Sequence, residues 1–205
     1  LIPLLRLVAS IGNLVDRDAM LAPGAITLIE RVPSDLINTL QKLLPQVLPE
    51  GWSLALSLGR LPKETPYLMV LNPEPMNGKV SERAEAAFVD DLARAVDMRA
   101  PILVLLPEES KGLPIPRQAP VQRRIFTPLS VDILIAALRA THSATGRIDE
   151  AAVRAVLTND AALSDVDALS LSLAMRASTA KAVAERIAVL TNVPRVATDG
   201  PWLED

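Results

Sequence analysis

Two uninterrupted apolar runs set the tightest limit on what this chain can fold into. They are YLMVL at Tyr67–Leu71 and PILVLL at Pro101–Leu106. Both are short, and neither leaves a polar face. A strand buried on both sides reads this way, and such strands belong to parallel sheets covered by helices. PILVLL is expected at the centre of the sheet. Between the two runs, a helix from Ser81 to about Arg99 places Phe88, Leu92, Ala95 and Val96 on one face. Strand, helix and strand then form a parallel unit with a right-handed crossover. The fold class expected is α/β: a mostly parallel sheet flanked by helices, followed by a C-terminal helical subdomain.

With 205 residues the chain can bury a sizeable core. Aromatics are only 2% of it, so Leu, Val, Ile and Ala must supply that core. The same scarcity disfavours base stacking, and a net charge of −3 gives a polyanion no reason to bind. Nucleic acid is therefore not an expected partner. There is no Cys, which removes thiolate chemistry and Cys-type zinc sites and suits a reducing, cytoplasmic setting. The single His, His142, cannot build a multi-His metal site. No apolar run is long enough to span a bilayer.

From the start, Leu4, Leu7, Val8, Ile11, Leu14 and Val15 recur at helical spacing, and Ala22-Pro23-Gly24 breaks the pattern. Only Arg6 lies in the stripe, so a helix packed on the domain is expected rather than one on a membrane surface. Ala25–Arg31 reads as a first strand ended by Pro33. Ser34 or Asp35 can cap a helix carrying Leu36, Ile37, Leu40, Leu43 and Leu44, which Pro45 and Pro49 stop. Trp52–Leu58 alternates like a strand, and Gly59–Pro66 allows a hairpin or edge pairing with Tyr67–Leu71.

The later half turns helical. Ile125–Thr127 is expected as a last short strand, and Ser130 as a cap for the helix carrying Val131, Leu134, Ile135 and Leu138. Asp149 can cap Glu150–Leu157. Ser164 with Asp167 resembles a capping-box start for a helix carrying Val166, Leu169 and Leu173. A final helix carries Val183, Ile187 and Leu190. The expected divisions are an α/β core at 1–128, a helical subdomain at 129–192, and a linker to a following module at 193–205.

No residue constellation declares a chemistry. A phosphate loop needs glycines whose amides approach the phosphate, then Lys and a hydroxyl residue. Gly78-Lys79 is followed by Val80 and has no upstream glycine, so Lys79 reads as a surface lysine. Asp90-Asp91 are neighbours on a helix and diverge, which makes a solvated face rather than a metal pair. Glu108 and Glu109 follow the central strand and read as strand-end carboxylates in a loop. His142 beside Ser143 is no nucleophile–base pair, because sequence neighbours rarely face one another productively. His142 instead suits the C-terminal end of a helix. The one local charge bias lies in the proline-rich Ser110–Gln122 loop and just beyond it. Between Glu109 and Asp132 there is no acid, while Lys111, Arg117, Arg123 and Arg124 occur.

Arg123, Phe126, Pro128, a helix ending near Arg139 and His142, and the segment Leu163-Ser164-Asp165-Val166-Asp167 form an ordered series. It resembles the end of an AAA+ ATPase module. There the last core strand often reads Arg-x-x-Phe, a proline turn and a helix ending in a basic residue follow, and a later helix begins near Ser-x-x-Asp. The chain departs from that family where the family binds nucleotide. As a whole it is similar to a degenerate, non-hydrolysing AAA-like domain, of the type preceding an active module in bacterial cell-division-cycle-like or zinc-protease-like ATPases.

This resemblance implies a regulatory or assembly domain that is not itself an enzyme. ATP and magnesium would then be handled by another module of the full-length protein. Partners would be that module or a neighbouring subunit in an oligomer, together with a protein substrate or adaptor. Arg117, Arg123 and Arg124 fall where AAA+ arginines reach a neighbouring subunit, and are the candidate partner-binding residues. The alternative is a small α/β ligand-binding domain or enzyme with an unidentified pocket.

Overall fold

The computed structural model describes residues 1–72, 82–108 and 121–192. The chain divides into two compact units, Leu1–Thr127 and Pro128–Asp205. In the first, α1 (Ile2–Ile11) and α2 (Leu14–Met20) precede β1 (Ile26–Val32), α3 (Ile37–Leu43), β2 (Ser53–Ala55) and β3 (Tyr67–Leu71). Then come α4 (Glu82–Asp97), β4 (Ile102–Pro107) and β5 (Gln122–Ile125). The five strands form one sheet in the order β2-β3-β4-β1-β5, and every pairing is parallel. The two apolar runs are β3 and β4, and β4 is the middle strand, as its residues require.

Strand alternation builds two cores. On one face Ile29, Val32, Leu68, Val70, Leu103, Leu105 and Phe126 meet Leu7 and Ile11 of α1, Met20 of α2, and Ile37 and Leu40 of α3. On the other face Leu28, Met69, Leu71, Ile102, Val104 and Leu106 meet Phe88 and Ala95 of α4. The β1-to-β2 and β3-to-β4 connections run in opposite directions along the sheet. Right-handed crossovers therefore place α3 and α4 on opposite faces. In β1, Ile29 and Val32 share a face although three residues apart. The register against β4 shifts between them, and Arg31 sits at φ 60. One extra residue is thus accommodated as a bulge near the strand's carboxyl end.

Several sequence expectations are corrected. The N-terminal stripe is two helices, because Gly12 takes φ 95 and Asn13 starts α2 with a reciprocal capping box to Asp16. Leu14 and Val15 consequently leave the core and stand exposed. α3 does end at Leu43, ahead of Pro45, but Leu44–Gln46 adds a 3-10 turn after it. The Trp52–Leu58 strand shortens to Ser53–Ala55 and pairs with β3 in parallel, which removes the hairpin. Val96 is exposed rather than inward, since only one face of α4 meets the sheet. The last strand lies earlier than Ile125–Thr127, so Arg123 and Arg124 are strand residues. The proposed cap at Ser81 lies outside the described residues.

The second unit is helical: α5 (Val131–Thr141), α6 (Glu150–Val156), α7 (Asp160–Ser164), α8 (Ala168–Ala174) and α9 (Ala180–Asn192). Buried Val183, Ala184 and Ile187 lie on α9, which packs against α6, α7 and α8. Ser130 and Asp149 cap α5 and α6 as their chemistry suggests. Ser164 does not open a helix. It closes α7, which Asn159 caps, while Asp167 itself caps α8 through the Ser170 amide. Leu169 and Leu173 face outward, at 70% and 50% exposure, and Leu190 is also exposed.

Candidate functional site

Ligands of open parallel sheets sit beyond the carboxyl ends of the strands, where successive connections leave to opposite faces. In the first unit the connection after β1 leaves to the α3 face and that after β3 to the α4 face, with the end of β4 between them. The residues there are Arg31, Pro33, Ser34, Asp35, Asn72 and Glu108. Asn72 buries an amide oxygen that has no hydrogen-bond partner among the described residues. Glu108 is exposed, and its N–H donates to the Val32 carbonyl. Lys79 and Glu109 lie outside the described residues.

The turn after β1 has none of the glycines of a phosphate loop. A phosphate cradle needs several backbone amides free to converge. Pro33 has no N–H, and the Leu36 N–H is already given to the Pro33 carbonyl. Asp35 adds a carboxylate in the 3-10 turn that leads into α3. No glycine occurs between Gly24 and Gly51 to let a ligand approach the backbone.

The arginine cluster is partly dismantled by its geometry. Arg117 lies outside the described residues. Arg123 and Arg124 are adjacent in β5 and so point to opposite faces of the sheet. Arg123 Nη1 donates to Glu30 Oε1 at 2.6 Å, a pair that leaves Arg123 40% exposed. Arg124 Nη1 donates to the Ile11 carbonyl at 2.7 Å, and its Nη2 to Asp16 Oδ1 at 2.9 Å. Both arginines therefore have acidic partners, supplied by β1 and α2. The sequence shows no acid beside them because Glu30 and Asp16 are 93 and 108 residues away.

Around Arg124 the end of α1, the start of α2 and β5 are fastened together. Asp16 is held below the usual carboxylate range, first by the Arg124 side chain and then by the Asn13 amide. A carboxylate whose folded pKa is depressed stabilises the fold above its unfolded pKa, and that stabilisation is lost as pH falls through the folded value. Stability should thus fall as the solution is acidified below the usual carboxylate range, near pH 4. Asp16→Asn should be less stable than wild type at neutral pH and show a shallower acid slope. Urea titrations between neutral pH and about pH 3 check both. Parallel slopes for the two proteins would contradict the assignment.

One turn beyond sits a cluster the sequence did not reveal. Arg6 Nε donates to the Thr127 carbonyl at 2.8 Å, and its guanidinium lies 4.4 Å from the Phe126 ring centroid. Burial holds the Arg6 guanidinium below its ordinary pKa, against the opposite pull of Asp35. The Thr127 N–H donates to Ser10 Oγ at 2.8 Å, and the two hydroxyls lie 3.2 Å apart. The only hint in the sequence was a lone Arg in an apolar stripe.

In the second unit, His142 closes α5, and its Nε2 lies 3.0 Å from the Ala177 carbonyl. The ring nitrogen Nδ1 meets Thr141 Oγ1 at 2.8 Å. Ser143 Oγ accepts from the Arg147 N–H instead of meeting the imidazole, so the two form no catalytic pair. They line an open depression with Ala144, Met175 and Ser178. Asp90 and Asp91 lie on α4, and among the described residues no group of three His, Cys, Asp or Glu could hold a metal. No family model, curated protein or solved structure matches the chain.

Proposed function

We propose that this chain is a non-catalytic regulatory or assembly domain of a larger AAA+ ATPase. ATP and magnesium would be bound by a different module of the same protein. The observation that carries the reading is the turn after β1. A parallel α/β unit has there Pro33 and Asp35, where nucleotide chemistry would need glycine amides and a positive field. Supporting it, β5 leads through Phe126 and Pro128 into a helical unit, the order of elements found at the end of an AAA+ module. The described residues include no helix long and apolar enough to cross a membrane. We place the domain in the cytoplasm, with the ATPase module or a neighbouring subunit as its partner. Arg117 and the half-exposed Arg123 are the residues we assign to that contact, whereas the donors of Arg124 are engaged within the unit.

Calorimetry with ATP and magnesium tests the reading on two samples, this chain and the full-length protein. The chain alone should release no binding heat at micromolar nucleotide. The full-length protein should bind at micromolar levels. Micromolar binding by the chain overturns the non-catalytic reading, and no binding by the full-length protein overturns the ATPase assignment.

A further inference from the structure

We propose that bending between the two compact units is confined to Pro128 and Leu129, and that α1 is the clamp that makes the joint this short. The inference does not depend on the proposed function. Relative motion is the default for units joined by one chain segment, and such motion concentrates where backbone groups are unheld. Upstream, every polar group of Thr127 is engaged by α1. Its N–H donates to Ser10 Oγ, its carbonyl accepts from Arg6 Nε, and its hydroxyl lies 3.2 Å from the Ser10 hydroxyl. Ser10 Oγ also donates to the Arg6 carbonyl at 2.7 Å, which ties the two clamp residues to each other. Phe126, one residue earlier, is buried, lies under the Arg6 guanidinium and donates its N–H to the Glu30 carbonyl of β1.

Downstream the chain is fixed again at once. Ser130 Oγ accepts from the Ile133 N–H, and its carbonyl accepts from the Leu134 N–H. The Val131 N–H donates to Asp160 Oδ1 at 2.8 Å, which binds the start of α5 to the start of α7. Two residues remain between these anchors. Pro128 has its φ locked by the ring and no N–H to give, and it holds Thr127 in extended geometry. The rotations left are ψ of Pro128 and the two torsions of Leu129.

Amide exchange and 15N relaxation on the whole chain test this. Elevated mobility is expected at Leu129 alone, with Thr127 and Val131 protected. In Arg6→Met/Ser10→Ala, exchange at Thr127 should rise at least about tenfold, and mobility should spread back to Phe126. The single Ser10→Ala variant, which keeps the Arg6 contacts, should raise exchange at Thr127 by a smaller factor. Unchanged protection of the Leu103 amide would show that the sheet persists in both. Mobility in wild type that reaches 123–126 or 131–134, or that is missing at Leu129, overturns the proposal. So does Thr127 exchange unaltered in a folded clamp variant.

Discussion

Leu103→Ala is expected to lower the unfolding free energy of the sheet-bearing unit by about 3–4 kcal/mol, within the range for large-to-small changes at sealed core sites. Leu103 is fully buried in β4, the middle strand, with β1 on one side and β3 on the other. Its side chain lies in the cluster beneath α1, α2 and α3. Hydrogen-bonded strands on both sides leave the backbone little freedom to collapse into the void. The cost should therefore lie well above simple methylene transfer. Trp52 packs against the same cluster and reports on it by fluorescence, in a Trp202→Phe background where no other Trp emits. A urea midpoint shifted by less than the equivalent of about 1.5 kcal/mol would mean that β4 is not the rigid centre described.

Gly12→Ala should cost about 2–3 kcal/mol, which is large for a position near the surface. Two effects add. Gly12 has φ 95 and ψ −140, a region all but reserved for glycine, where an L side chain is strained by about 1–3 kcal/mol. A β-carbon there would also come 2.5 Å from Asp16 Oδ2 and 3.2 Å from Arg124 Nη1. The carboxylate displaced is the one that holds both the Asn13 amide and Arg124. One methyl group thus disturbs the α2 cap, itself worth about 1 kcal/mol, together with the ion pair. Gly51→Ala is the control. Gly51 has φ 82, but a β-carbon there meets nothing within 4 Å, so only the backbone strain remains. Equal losses at the two sites, measured by denaturant titration, would show that the crowding at Gly12 has no energetic weight.

What was legible in the sequence was whatever depends on local pattern. Tyr67–Leu71 and Pro101–Leu106 declared themselves as doubly buried strands and fall within one residue of β3 and β4. Ser130 and Asp149 cap helices because a side-chain oxygen needs only an amide three residues on. The errors arose where distant residues decide. Leu14 and Val15 continue a helical stripe in sequence, yet Gly12 breaks the helix and turns them to solvent. Leu169 and Leu173, four residues apart, share one face of α8, and that face is turned to solvent. Arg123 and Arg124 look unpartnered until the sheet brings Glu30 and α2 beside β5. The Arg6–Ser10–Thr127 cluster was invisible because Thr127 lies 121 residues from Arg6 and 117 from Ser10.

The sheet has two open sides, and the way each is finished bears on self-association in concentrated solution. An exposed strand edge offers unpaired amides and carbonyls to any passing chain and can seed aggregation, a risk that grows with the length and flatness of the edge. Here β2 is three residues long and β5 four. Next to β5, the amide of Thr127 is already taken by Ser10. Edge-to-edge growth therefore has almost no template. Self-association in concentrated solution should trace instead to exposed apolar side chains, Leu14 and Val15 on α2 and Leu169 and Leu173 on α8. Replacing these four with glutamine should reduce it.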